Sequence, residues 1–308
     1  MSIILVHLGT SRPEYLEDCV KQIRLWSDIK IYLICHGVCS QIPFFKKLDV
    51  DMIYTCNLPR SAAHQKFLAE YEGDTEFRQG YWKHVFERFF WIDNFLQKTG
   101  LEDVLYLEYD VLVYCDPKIL LDKLSKSHKT LRFVRSEEER AHPATIYIPD
   151  KSQSRLLADF LGGYKGRDDM VALKDFANAA TVHYLPCLPE CCIEKQSPAA
   201  FLCEEQEYLD VLFDSLVVGQ YVTGVDVRNT KGVKAVGYVQ EKAWYKFENM
   251  PFVWKQDEKD RWYPVFGGVR LATIHVHSKA TKCFLSNVKD MPEANYCPER
   301  LLKTLLPN

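Results

Sequence analysis

The sequence is marked first by what it lacks. No stretch of its 308 residues comes near the run of about 20 apolar side chains that a bilayer-spanning helix needs, so a membrane span is not expected. Charge of one sign is also missing. The 39 Lys and Arg are mixed with 42 Asp and Glu along the chain, for a net charge of -3, and this leaves no basic face for nucleic acid. There is no internal repeat, low-complexity tract or flexible linker, which excludes a solenoid or a string of tethered modules. The 11 cysteines are odd in number, scattered from Cys19 to Cys297, and contain no CxxC pair. They do not read as a disulfide framework, so a reducing compartment is expected. The apolar residues of 1–6 are too few for a signal-peptide core. The expectation is a cytoplasmic protein, with loose contact with a membrane surface left open.

What is present is ordinary globular composition, 47% hydrophobic and 26% charged, in a chain long enough to bury a large core. Residues 3–8 read as a buried strand. Ser11 and Glu14 fit a capping box, with Pro13 in the first helical turn, and Leu16, Cys19, Val20, Ile23 and Trp26 follow at helical spacing. Residues 30–35 form a second strand, stopped by His36 and Gly37. A strand–helix–strand opening implies a parallel sheet, whose ligands bind at the carboxyl ends of the strands, near 9–12 and 36–37.

Further on, 81–97 predicts a long helix with an apolar stripe at Val85, Phe86, Phe89, Ile92 and Leu96, ended by Gly100. Asp116-Pro117 opens another. Strands are expected at 131–134 and 145–148, and helices at 154–161, 170–180 and 203–218. Extended chain is expected at 233–247 and 262–277, with a turn at 256–260, and a closing helix at 297–306. The whole reads as α/β, one domain over 1–308. Residues 1–116 form a nucleotide-type half and 117–308 a less regular half.

The run Val104-Leu105-Tyr106-Leu107-Glu108-Tyr109-Asp110-Val111-Leu112-Val113 places two acids inside a strongly apolar, strand-like stretch. Acids are seldom buried without a partner. Because side chains alternate along a strand, Glu108 and Asp110 are expected to share one face and to suit a hard divalent cation. The alternative is one surface acid and one acid paired to a core arginine. Near the end stands Ile274-His275-Val276-His277-Ser278-Lys279, where alternation puts both imidazoles on one face. Imidazole is a common metal ligand, and Lys279 is a point charge suited to phosphate. Its plain reading is a solvated strand end.

Taken together these runs resemble a nucleotide-sugar glycosyltransferase of the GT-A fold. Glu108-Tyr109-Asp110 resembles its DxD-type motif in the relaxed form ExD, and His275 or His277 resembles its late metal ligand. The segment 213–221 and Gly224-Val225-Asp226 are similar to stretches in bacterial and viral members whose late run also reads His-x-His-Ser-Lys. The resemblance covers residues 3–284.

It implies a Rossmann-like, mainly parallel mixed sheet with helices on both faces. It also implies Mn²⁺ or Mg²⁺, a UDP- or GDP-sugar donor, and a glycan or lipid-linked acceptor. Asp110 is the expected direct ligand. Glu108, longer than the Asp it replaces, is expected on the ion, on ribose or on a water held by the ion. Lys279 is expected on the diphosphate, and the residues from 117 on are expected to form the acceptor half.

Arg88 is expected at the nucleotide, from a helix that often carries a basic residue for it in these enzymes, or else, like Arg12, as a surface charge. His7, Gly9, Thr10 and Arg12 are expected there from their place at the end of the first strand. Asp214 is a candidate catalytic base or acceptor contact, or else a helix-surface acid or cap. A zinc cluster of His183, Cys187, Cys191, Cys192 and Cys203 lacks structural-site spacing and reads as a loop with small buried thiols. Trp244, Tyr245, Phe247, Phe252, Trp254, Trp262 and Tyr263 read mostly as core, with some lining an acceptor site. Two rival readings stay in play. One is a nucleotidyltransferase that forms sugar nucleotides, although 9–12 has one glycine where that class needs a Gly-rich loop. The other is a non-catalytic glycan-binding protein on the same fold.

Overall fold

The computed structural model describes residues 1–9, 13–36, 43–77, 80–135, 137–166, 168–188, 206–226, 242–243 and 252–292. The first half runs β1 (Ser2–His7), α1 (Glu14–Trp26), β2 (Ile31–Cys35), α2 (Pro43–Lys47), β3 (Val50–Tyr54), α3 (Ala62–Glu70), α4 (Tyr81–Thr99), β4 (Val104–Leu107) and β5 (Val111–Val113). Then come α5 (Pro117–Ser125), β6 (Arg132–Val134), β7 (His142–Ile148), α6 (Lys151–Gly162), α7 (Asp169–Ala179) and β8 (His183–Tyr184). The last part holds α8 (Gln206–Leu209), β9 (Val211–Leu212), α9 (Val217–Thr223), β10 (Phe252–Gln256), β11 (Trp262–Phe266), β12 (Val269–Leu271) and β13 (Thr273–His275).

Seven strands form one sheet in the order β3-β2-β1-β4-β7-β6-β8. β1 pairs in parallel with β2 and β4, β2 with β3, and β6 with β8, while β7 runs antiparallel to β4 and β6. The sheet is therefore mixed and mainly parallel. Both faces are covered, which explains the unbroken apolar reading of β1. Ile3 and Leu5 enter one core with Leu16, Val20 and Ile23 of α1, and Ile4 and Val6 enter a second core with Phe86, Phe89 and Ile92 of α4.

Helix boundaries follow from local chemistry. α4 begins after Gly80 and ends at Gly100, both left-handed, and the N–H of Gly100 closes on the carbonyl of Leu96. The Asp116 carboxylate caps α5 by accepting from the N–H of Lys118, with Pro117 in the first turn.

Two expectations are corrected. The run 104–113 is not one strand. After Leu107 the chain leaves the large sheet, and the N–H of Val111 closes a turn on the carbonyl of Glu108 at 3.0 Å. The chain then continues as β5, antiparallel to β13, with His275 opposite Val111. Apolar strands on either side of a turn mimic one strand in sequence, and the turn brings both acids to the wall of a cleft. Residues 206–218 are not one helix either. They make the short α8, then β9, then an irregular stretch from 213 to 216 before α9. The expected segments at 233–247 and 297–306 lie outside the described residues, apart from 242 and 243.

Candidate functional site

The carboxyl end of β1, the turn after β4, the first turns of α4 and the segment leaving β13 surround one cleft of about 500 Å³. This is the ligand edge of a parallel sheet. Glu108, Asp110, His275, His277, Lys279, Arg88, His7 and Gly9 all line it. Residues far apart in sequence thus meet at the place the strand–helix–strand opening implies. Thr10 and Arg12 lie outside the described residues.

At the centre, one ligand atom from each of Glu108, Asp110 and His275 lies within 4.8 Å of the others. His275 Nε2 stands 3.0 Å from Asp110 Oδ2 and 3.7 Å from Glu108 Oε2. Burial pushes this imidazole below the ordinary histidine range, against the pull of Glu108 and Asp214, and favours its neutral form. Both its ring nitrogens are buried without a hydrogen-bond partner, although Asp110 lies close. A buried neutral imidazole facing two carboxylates is costly as a hydrogen-bonding arrangement and suitable as a ligand set. Two hard oxygens and one nitrogen fit Mn²⁺ or Mg²⁺ better than a soft metal.

His277 lies just beyond the end of β13, its ring 5.3 Å from that of His275. Its Nδ1 accepts the N–H of Asp226 at 3.5 Å. Burial, aided by His275, pushes it down to about 4. It belongs to the cleft wall, while His275 alone of the two joins the acidic pair.

Positive charge balances the acids. The ammonium of Lys279 contacts Asp110, from a backbone held at φ 66 by a turn onto the carbonyl of Val276. A left-handed lysine is uncommon and marks a position held by its surroundings. Arg88 reaches Glu108 at 2.5 Å with one nitrogen and Asp169 of α7 at 2.5 Å with another. Burial works against the charge on Glu108, but Arg88, His275 and Lys279 outweigh it and hold this carboxyl below its usual range. Burial pushes Asp169 up to about 6 despite Arg88. Asp169 was not foreseen. In sequence it stands beside the α7 cap Asp168, and nothing marks it as anything but a first-turn acid.

No protein-family model matches the sequence, and no curated protein matches it. Solved structures do resemble it. One is mouse xyloside xylosyltransferase 1, at 8% identity and a TM-score of 0.42, over 68% of this chain and 93% of that one. The glycosyltransferase GlyE of Streptococcus pneumoniae TIGR4 matches at 16% identity and a TM-score of 0.36, over 56% of this chain and 43% of its own. An active-site mutant of LgtC matches at 13% identity and a TM-score of 0.36, over 66% of this chain and 82% of its own. Likenesses below a TM-score of 0.5 leave the activity to be argued from the site itself.

Asp214 stands behind the site and is not among the cleft-lining residues. It precedes α9 instead of lying within a helix. Its Oδ1 accepts from the N–H of Val218 at 3.1 Å, and its Oδ2 from Gly219 at 2.8 Å and His275 at 2.9 Å. Burial pushes it up to about 6, opposed by those backbone donors and by His275. A carboxylate with three backbone donors fixes the strand that carries His275.

His7 donates to or accepts from the Tyr109 hydroxyl through Nδ1 at 3.2 Å, and the Tyr109 ring stacks on Tyr15 at 5.5 Å. The middle residue of the ExD run thus ties β1 to α1. His183 bonds Thr130 and Cys187 bonds the carbonyl of Arg135, while Cys191, Cys192 and Cys203 lie outside the described residues. Among the described residues the metal-capable group holds neither His183 nor Cys187. Phe252, Trp254, Trp262 and Tyr263 belong to the four-stranded sheet β10-β11-β12-β9 and do not line the cleft, and Trp244, Tyr245 and Phe247 lie outside the described residues. Among the described residues, no helix is long and apolar enough to cross a membrane.

Proposed function

We propose that this cleft transfers a sugar from a UDP- or GDP-sugar to a hydroxyl of a glycan or lipid-linked acceptor. The observation that carries the reading is the meeting of Glu108, Asp110 and His275 beside Lys279 and Arg88 at the strand ends. Asp110 and His275 would hold Mn²⁺ or Mg²⁺, with Glu108 on the ion or turned to ribose. A cation bound there supplies Lewis-acid stabilisation to the leaving diphosphate.

The chain's own residues do the rest. Lys279 meets the diphosphate oxygens as the bond from the anomeric carbon to phosphate oxygen breaks and its electron pair goes to that oxygen. The acceptor oxygen bonds to the same carbon and loses its proton to a base. Arg88 keeps Glu108 ionised and aimed, and Asp214 keeps β13 in place. In this reading residues 1–116 form the donor half. Residues 117–308 return His275 to Lys279 to it and supply acceptor contacts, without excluding the first half from the acceptor side.

Calorimetry with UDP and GDP, with and without Mn²⁺, tests the reading, together with nucleotide release from a donor panel by wild type and Asp110→Asn. Metal-enhanced nucleotide binding and a loss of transfer of at least about 100-fold in the variant are expected. Metal-independent binding together with undiminished transfer by Asp110→Asn would overturn it.

A further inference from the structure

The first turn of α4 carries a second feature that the donor chemistry does not use. Phe77, Tyr81 and Trp82 are each 40% exposed. They form one aromatic cluster: Phe77 and Trp82 stack at 5.9 Å and 20°, and Tyr81 meets Trp82 edge-on at 5.1 Å and Phe77 at 6.2 Å. Lone apolar residues on a surface are ordinary, but three large rings on one patch mark a binding surface. The Asp74 carboxylate accepts from the N–H groups of Glu76 at 2.8 Å and Phe77 at 2.9 Å, so the approach to the patch is a fixed turn. Gly80, at φ 86, then starts the helix.

The patch continues into the cleft. Tyr81, His84 and Arg88 all line the cleft, and their spacing of i, i+3 and i+7 puts them on one face of α4. Tyr81 is therefore both a member of the aromatic cluster and the outer end of the stripe that leads to Glu108.

We infer that Phe77, Tyr81 and Trp82 form a stacking platform for a sugar ring of the acceptor, at the mouth of the transfer site. This rests on the reading of the cleft as a sugar-transfer site and names its acceptor as a glycan. A pyranose presents a flat face of C–H bonds that packs on an aromatic face, while its hydroxyls at the rim seek acceptors. Exposed Asp74 and Glu76 lie in the turn that leads into Phe77 and supply such acceptors. The same charges argue against a membrane. Residues 72–83 hold three carboxylates against Arg78 and Lys83, the opposite of the polybasic segment that an anionic bilayer attracts.

The test is direct binding, independent of turnover. Saturation-transfer NMR follows wild type, Phe77→Ala, Trp82→Ala and the surface control Leu156→Ala against neutral methyl glycosides and disaccharides of glucose, galactose, xylose and N-acetylglucosamine. Vesicles of phosphatidylcholine with phosphatidylserine are run in parallel, and circular dichroism confirms that each variant folds. At least one sugar is expected to bind wild type and the Leu156 variant alike, with affinity lowered at least about tenfold in Phe77→Ala and Trp82→Ala. UDP and Mn²⁺ titrations of the same variants are expected to match wild type.

Three results would overturn the platform: no panel sugar binding to wild type, equal sugar binding by all variants, or vesicle binding that the Trp82 change abolishes. Sugar binding lost in the variants of a protein that binds no nucleotide would instead keep the platform and remove the transfer reading.

Discussion

The Asp214 carboxylate takes the backbone N–H of His275 and the backbone N–H of Gly219 on one oxygen, at 2.9 and 2.8 Å. This joins the start of α9 to the strand that carries the late histidine. The acid acts on the cleft through another residue's backbone.

Asp214→Asn keeps the shape and presents an amide N–H₂ where backbone N–H groups need an acceptor. It is expected to cost about 1–3 kcal/mol of stability and to weaken Mn²⁺ binding about 10–100-fold by loosening β13. Denaturant unfolding and a metal titration read the two effects. With metal saturating, transfer should recover. A turnover that stays collapsed under those conditions would make Asp214 a base and not a support.

Gly219 sits where a side chain has no room. A Cβ there would come 2.0 Å from the carbonyl oxygen of His275 and 2.5 Å from Asp214 Oδ2. The neighbour at 2.0 Å is backbone and cannot swing aside. Gly219→Ala is expected to destabilise the protein by about 1–3 kcal/mol and to weaken Mn²⁺ binding as well. A variant with wild-type stability and metal affinity would show that α9 does not press on β13.

Arg88 is the shared partner of two largely buried acids, Glu108 and Asp169. Arg88→Met strands both charges and should cost about 3–5 kcal/mol. Adding Asp169→Asn removes one of the stranded charges and should restore part of the loss. A double-mutant cycle measures this coupling, and simple additivity would show that Arg88 and Asp169 do not act as a pair.

Stability should depend on pH through His142. Burial pushes His142, on β7 near the site, down to about 3. Its unfolded value is about 6.5. The unfolded chain therefore binds more protons between these values. The histidine's contribution is complete above about 6.5 and is lost as pH falls toward about 3. Asp169 and Asp214, pushed up to about 6, act with the opposite sign between about 4 and about 6. The net curve thus mixes both, and the comparison with His142→Gln isolates the histidine. The variant should lose less stability than wild type on acidification, as read by unfolding curves at several pH values. Parallel curves would remove His142 from the balance.

Local chemistry made much of the frame legible. Apolar runs located β1 and β2, periodicity located α1 and α4, and Gly100 and Asp116-Pro117 located a helix end and a helix start. Where one local signal is compatible with different backbones, hydropathy does not tell them apart. Leu107 and Val111 are both apolar and β-compatible, so the turn between them left no trace in hydropathy. Asp214 in an apolar stretch looked like an acid on a helix, because its partners are backbone N–H groups, which any residue supplies.

The same division holds for the site. Sequence alone settled the residue types: two acids one apart, two imidazoles one apart, and a lysine after them, because alternation and burial rules act on neighbours. Only the tertiary structure decided that β13 pairs with β5, and so that His275 and not His277 joins Glu108 and Asp110. It also decided that Arg88 is shared with Asp169. Pairings across 81 and more than 160 residues depend on which surfaces the packed sheet and helices bring together, and no local pattern encodes that distance.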